Sequence, residues 1–253
     1  GARIVPFDIL HSAETLAYLV QHSDCKYLIS SEEFSPKLQK VQNLLPTPLP
    51  GLISGSKIPG YEHWDSVLNL TAIETNLPLV ESDPDSTFLL VYTSGTTGNP
   101  KGVMLTPRSI YLTVKSVLDA VAISHRDHIL SVLPLYHMLA LMANFLAPLY
   151  MGARVTYLDA LDAGRILQCF RNEKVTIFVC VPQFYYLLHR RIFQEIEGKD
   201  LLSRFLFQIL FKFSNVINTL VGWNPGKLFF RPIHRNFGKL RLFAVGGARF
   251  DPD

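Results

Sequence analysis

Lys101 is the tenth residue of an eleven-residue run, Tyr92 to Gly102 (YTSGTTGNPKG), that crowds glycines, short hydroxyl side chains and one cation into a single stretch. Gly95, Gly98 and Gly102 lack Cβ atoms, so the backbone can take positive φ and its N–H groups can converge on an anion. Thr93, Ser94, Thr96 and Thr97 add hydroxyl donors, and Lys101 adds a mobile point charge suited to phosphate. A polyphosphate is the natural guest. A Walker A loop is excluded by spacing, because it needs Gly directly before Lys and a hydroxyl after it, whereas Pro100 precedes Lys101 and Gly102 follows. The plain alternative is a Gly/Ser/Thr-rich surface loop with no ligand.

Two other places hold residue types suited to chemistry. His137 lies in LPLYHM, beside Tyr136 and ahead of an apolar run, where a hydrogen-bonded core histidine is the commoner outcome. Gly246 and Gly247 follow a strand-like run. They could merely shape a turn, but the carboxyl end of a strand in an α/β sheet is where ligands usually bind.

The elements that must position these residues alternate. Residues 3–7 read as a strand, Ser12 as the N-cap of a helix through Gln21, residues 26–30 as a strand and 32–45 as a helix that ends before Pro46, Pro48 and Pro50. Residues 52–54 suggest a strand, 61–70 a short helix around Trp64, and 78–85 a connection. Thr87 to Tyr92 is a β-branched and apolar strand, while Thr106-Pro107 gives an N-cap and a Pro at the first helical position, so the glycine-rich loop is pinned between strand and helix. Beyond it the pattern predicts a helix over 108–122, a strand over 128–133, a buried helix over 135–149 and a strand over 154–157. Helix, strand and helix follow over 163–172, 176–181 and 183–196. The alternation predicts an α/β fold of mostly parallel sheets flanked by helices.

At 253 residues, with 48% hydrophobic residues, the chain can bury a large core, and a net charge of +3 says little about partners. The distribution says more: residues 189–241 hold ten Lys and Arg against three acids. Cys25, Cys169 and Cys180 are far apart and set in apolar surroundings, which suits buried free thiols in a reducing cytoplasm rather than disulfides or a metal site. No basic n-region with an apolar core opens the chain, so a signal peptide is not expected, and the start, GARIVPF, reads as if cut from the middle of a protein. Residues 129–150 are apolar enough to test for a membrane span, but Pro134, His137, Asn144 and Pro148 argue for a strand and a buried helix. In residues 201–223, Leu202, Phe205, Leu206, Ile209, Phe213, Val216, Ile217 and Leu220 fall on one helical face. Core packing is the commoner explanation. The sharper one is an interfacial helix giving peripheral membrane contact through 201–223.

The run YTSGTTGNPKG resembles the signature of the adenylate-forming, AMP-binding superfamily, which includes acyl-CoA synthetases, luciferases and peptide-synthetase adenylation domains. Gly1 to Ser30, the LPLYHM motif and LRLFAVGGARF (Leu240 to Phe250) resemble further segments of the same superfamily in the same order. The resemblance implies that residues 1–253 form an incomplete AMP-binding N-terminal lobe, with a phosphate loop at 92–102 and an inserted amphipathic region at 197–238. It implies ATP, Mg2+ and coenzyme A as partners of the reaction, a carboxylic acid as substrate and no nucleic acid. Thr93, Ser94, Gly95, Thr96, Thr97, Gly98 and Lys101 would hold phosphates, His137 would sit near the carboxylate, and Gly246, Gly247 and Ala248 would line the boundary of adenine and acyl group. Arg249 and Phe250 depart from the usual Pro and Leu.

By that resemblance a carboxylate attacks the α-phosphorus of ATP, pyrophosphate leaves, and the acyl group passes to coenzyme A. The inserted stretch is most like that of long-chain fatty acyl-CoA synthetases. An acyl-carrier acceptor, an aryl or amino acid substrate, and a truncated nucleotide- or lipid-binding module remain as alternatives. The Tyr-Gly-x-Thr-Glu motif, ribose-binding Asp, hinge and C-terminal lobe with its catalytic Lys are not in this sequence, so these residues alone are expected to be inactive.

Overall fold

The computed structural model describes residues 2–68, 83–93, 100–159, 162–198, 200–221, 225, 226 and 230–249. Contacts divide the chain into two units, Gly1–Tyr111 and Leu112–Asp253.

In the first unit, Ser12 caps helix α1 (Ala13–His22) by accepting the Thr15 N–H at 3.2 Å. Strands β1 (Leu28–Ser31), β2 (Gly51–Ser54) and β3 (Glu62–His63) form a parallel sheet in that order. The helix expected over 32–45 begins as a 3-10 turn, Glu32–Phe34, and becomes α2 at Ser35–Leu44, with Pro36 in its first turn. Leu16, Ala17 and Val20 of α1 meet Leu28, Val41 and Leu45 in one apolar cluster. The short helix around Trp64 is α3 (Trp64–Leu68), and the connection expected over 78–85 lies mostly outside the described residues. The strand expected over residues 3–7 reduces to a single parallel bridge from Ile4 to Leu89.

Strands β4 (Leu89–Thr93) and β5 (Lys101–Leu105) pair antiparallel, Leu90 opposite Met104 and Thr93 opposite Lys101. This corrects the strand-loop-helix reading: the segment carrying Lys101 is a hairpin arm. Val103, Met104 and Leu105 supply a second β-type run that satisfies the backbone of β4. Helix α4 (Pro107–Ala120) then starts where expected, with Thr106 Oγ1 accepting the Ser109 N–H at 3.1 Å and Ser109 Oγ accepting the Thr106 N–H at 3.0 Å.

The second unit is built on a four-stranded parallel sheet in the order β7-β6-β8-β9: β6 is His128–Ser131, β7 Arg154–Tyr157, β8 Ile177–Cys180 and β9 Leu242–Val245. Its central strands are buried on both faces, as crossover helices require. Leu130, Phe178 and Cys180 turn toward Ile166, Leu167 and Phe170 of α7 (Ala163–Asn172) and Phe184 and Leu188 of α8 (Pro182–Glu197). Ile129, Ile177 and Val179 turn the other way, toward Ile123, Ala143, Val117 and Leu118. Phe170 and Phe178 meet edge to face at 5.2 Å, and truncating either to Ala would cost about 3–5 kcal/mol.

The helix after β6 differs from expectation. It runs as α5 (Met138–Ala140), a π-helical turn (Leu141–Leu146) and α6 (Ala147–Met151), ending on Gly152 at φ +67°. Only one side is buried: Met142, Ala143 and Asn144 are inside, while Leu149 and Tyr150 are exposed. Thus it is amphipathic rather than buried all round. Helix α9 (Leu201–Val221) covers most of the expected span, followed by α10 (Arg231–Arg235). Of the three free thiols only Cys180 is fully buried, Cys25 and Cys169 being half-buried, so the expectation of three buried cysteines holds for one. Among the described residues no helix is long and apolar enough to cross a membrane.

Candidate functional site

The hairpin is held at its base by side chains of its own unit. The Tyr92 hydroxyl and His22 Nδ1 are hydrogen-bonded at 2.7 Å, and Phe7 stacks on the Tyr92 ring at 6.4 Å between centroids. Leu89, Leu90 and Val91 are buried, so the strand leading to the loop is fixed while Thr93 and Lys101 stand exposed side by side at its mouth. Ser94, Gly95, Thr96, Thr97 and Gly98, expected to cradle phosphate, lie outside the described residues. A Cβ on Gly102 would sit 3.1 Å from Leu90 Cδ1, so its bareness also makes room for a side chain of β4. The donor set in view, an exposed ammonium with a hydroxyl across the strand pair, fits a phosphate chain.

In the second unit the remaining candidates gather at the carboxyl end of the parallel sheet. His137 is exposed at the N-cap position of α5, its ring 4.5 Å from that of Tyr136, so it is no core histidine. The Gly246 N–H donates to the Cys180 carbonyl at 3.1 Å, extending the β8–β9 ladder by one bond. Gly247 then turns at φ +78°, a conformation that favours glycine, and Gly247, Ala248 and Arg249 are exposed. Phe250 lies outside the described residues. A Cβ on Gly247 would stand 3.3 Å from Leu139 Cδ2 and 3.6 Å from Val181 Cγ1, and one on Gly246 3.8 Å from Leu139 Cδ2. Leu139, two residues after His137, therefore packs on the Gly-Gly turn. It brings the LPLYHM segment and the glycine turn together at the edge where an α/β sheet offers a crevice. Sequence reasoning missed Leu139, since a leucine in an apolar run carries no signal of its own.

Nearby, Asn144 is fully buried in the π turn, and neither atom of its carboxamide has a partner among the described residues; the Ser131 hydroxyl at the end of β6 has none either. The Tyr157 hydroxyl donates to the Asn144 carbonyl at 3.4 Å, and Tyr157 is the cross-strand partner of Ser131. Unsatisfied buried groups of this kind cost about 1–3 kcal/mol each.

The opposite, amino end of the sheet holds the charged groups that are structural. Asp127 takes Arg241 in a two-point contact, Nε to Oδ1 and Nη2 to Oδ2 both at 2.9 Å. It also accepts the Thr176 hydroxyl at 2.8 Å and the Ser124 N–H at 2.9 Å. The Arg241 guanidinium, then the hydroxyl and amide donors, hold its carboxyl far below the usual carboxylate range against the opposing effect of burial. Arg241 also donates to the Ala122 carbonyl. Beside it, His128 is buried with Nδ1 2.7 Å from the Glu173 carbonyl and Nε2 2.8 Å from the Thr156 hydroxyl, so Nδ1 carries the proton that the carbonyl accepts. Burial pushes the Cys180 thiol up to about 12, which rules it out as a nucleophile at neutral pH. Among the described residues no three His, Cys, Asp or Glu side chains gather as metal ligands.

A strand hairpin ending in an exposed Thr–Lys pair and a parallel sheet edged by a Gly-Gly turn carry a recognisable sequence pattern: the profile of AMP-binding enzymes matches residues 1–253, and the chain belongs to that family. The mitochondrial malonate–CoA ligase ACSF3 of Mus musculus is 30% identical over 189 residues, covering 73% of this chain and 31% of that protein. The 4-coumarate–CoA ligase CCL1 of Humulus lupulus is 37% identical over 115 residues, 44% of this chain and 21% of that protein. Among solved structures, the anthranilate CoA ligase AuaEII in complex with anthranoyl-AMP superposes with a TM-score of 0.67 at 25% identity, over 73% of this chain and 36% of that one. The chain spans about a third of the length of the curated relatives it matches.

Proposed function

We propose that this chain is the nucleotide- and acyl-binding part of an AMP-forming acid–CoA ligase. The observation that supports the reading is the packing of Leu139 on Gly246 and Gly247, which sets the exposed His137 and the glycine turn at one sheet edge in a chain matched throughout by the AMP-binding profile. In the proposed reaction a carboxylate oxygen attacks the α-phosphorus of ATP and pyrophosphate departs. The sulfur of coenzyme A then attacks the acyl carbon and AMP departs.

This chain's residues act by position and charge. Lys101, with the Thr93 hydroxyl beside it and the loop 94–98 between, neutralises the phosphates that leave; in the reading proposed here no protein nucleophile takes part. His137 orients the carboxylate, while Gly246, Gly247 and Ala248 offer adenine a flat backbone surface without side chains at the first two positions. Mg2+, when bound, would shield the triphosphate charge.

The acid we propose is a long-chain fatty acid, on the strength of the apolar and basic region 197–238. A second reading, an aryl acid, is favoured by the likeness to the 4-coumarate and anthranilate ligases. Thioester formation by the complete protein, measured with palmitate, 4-coumarate and malonate in parallel, decides between them: highest kcat/KM with palmitate is the expected result. A preference for 4-coumarate establishes the second reading, and no thioester or pyrophosphate from any carboxylate overturns both.

A further inference from the structure

Helix α9 has two apolar sides, and the ring contacts described for it with α8 and Phe230 fall on one of them. Phe207 packs on Phe193 of α8 at 6.0 Å and on Phe230 at 5.0 Å, Phe211 reaches Phe230 at 6.2 Å, and Ser214 is buried. Those residues define the inward side. At 100° per residue, Phe205, Leu206 and Ile209 occupy an arc about 100° wide on roughly the opposite side. They are 61%, 53% and 48% exposed. Three bulky apolar side chains in one arc exceed the scattered surface hydrophobics of an ordinary helix.

Charge identifies what covers them. The 21 residues of α9 contain no Asp or Glu, and the apolar arc is bordered by the exposed Lys212. The surrounding stretch, residues 189–241, holds ten Lys and Arg against three acids, with Arg241 committed to the buried Asp127. An apolar arc edged by Lys212, on a helix without carboxylates, matches an anionic lipid surface, where aromatic and aliphatic groups enter the acyl boundary and the lysine stem carries its charge back to the headgroups. A nucleic acid would use the cations but not the phenylalanine and isoleucine between them. Because no described helix can span a bilayer, the contact is one of lying on the surface.

We propose that the outward face of α9, centred on Phe205, Leu206 and Ile209, docks the protein on an anionic phospholipid bilayer. The surface belongs to the region 197–238 on which the long-chain acid is proposed, but its test is read without substrate, so its failure and the failure of the ligase reading are distinguishable.

The test is flotation of the complete protein with large unilamellar vesicles of phosphatidylcholine alone and of phosphatidylcholine mixed with phosphatidylglycerol. The expected result is binding to the mixed vesicles that weakens as salt rises. A Phe205→Ser/Ile209→Ser double substitution should lower partitioning about ten-fold or more, and Lys212→Glu about five-fold or more, with circular dichroism unchanged. Hydrogen exchange on the unsubstituted protein should show residues 201–214 protected by mixed vesicles. Absence of binding to anionic vesicles, or no added protection in α9, overturns the proposal. So does a double substitution that leaves binding intact but changes the oligomeric state or lowers Tm as a core change would, because the face is then covered by protein.

Discussion

In the proposed site, Lys101 supplies the charge for the phosphates. It stands exposed at the first position of β5, opposite Thr93, on a strand whose partner is buried through Leu89, Leu90 and Val91. Removing its ammonium leaves that packing untouched, so a Lys101→Ala change isolates electrostatics from folding. In the complete protein it should slow ATP–pyrophosphate exchange about 100-fold without shifting Tm, and an unchanged exchange rate would sink the assignment. The same scale shows why identical residue types can serve different ends. Gly95, Gly98 and Gly102 look alike in a string of letters. Only the tertiary structure reveals that a Cβ on the last one would crowd the Leu90 side chain of the paired strand, and no local pattern encodes such a neighbour.

At the scale of elements, the parallel sheet separates a stabilising charge cluster from the proposed chemistry by its two ends. Asp127, Thr176 and Arg241 precede β6, β8 and β9, so one buried carboxylate ties three strand starts together, while the glycine turn and His137 lie past the other ends. The Asp127 carboxyl is held low, so its contribution to stability is complete above the unfolded value near pH 4 and is lost as pH falls toward the folded value. Asp127→Asn should therefore cost about 2 kcal/mol near neutral pH, read from urea unfolding, with the gap to the unsubstituted protein closing below about pH 4. A gap that persisted undiminished in acid would contradict the pairing. Element types were well marked in the sequence wherever periodicity and caps agreed: strand 154–157 and helix 163–172 coincide with β7 and α7. They were poorly marked where an element depends on a distant partner. The five residues of β5 read as loop because Lys101 and Gly102 carry no strand preference, and it is the antiparallel ladder with β4 that makes them a strand.

For the whole molecule, two units each carry part of the proposed chemistry: the hairpin with Lys101 belongs to Gly1–Tyr111, and His137 with the Gly-Gly turn to Leu112–Asp253. The chain is also only about a third as long as the relatives it matches. A polypeptide of these 253 residues should accordingly make no acyl-CoA from ATP, coenzyme A and a carboxylate; turnover by it would mean that the proposed reaction needs nothing beyond the residues described.

The amino-acid sequence by itself determined the family and the class of fold, because YTSGTTGNPKG and the alternation of strand and helix are local patterns, legible without neighbours. It also singled out Lys101, His137, Gly246 and Gly247 by residue type. What tertiary structure alone decided was which surfaces those patterns meet. Leu139 against the glycine turn, Asp127 across three strand starts, and the outward rather than inward arc of α9 all arise from contacts between residues distant in sequence. Such contacts are set by packing geometry, and a periodic stripe of Phe, Leu and Ile reads the same whether the core or the surroundings will cover it.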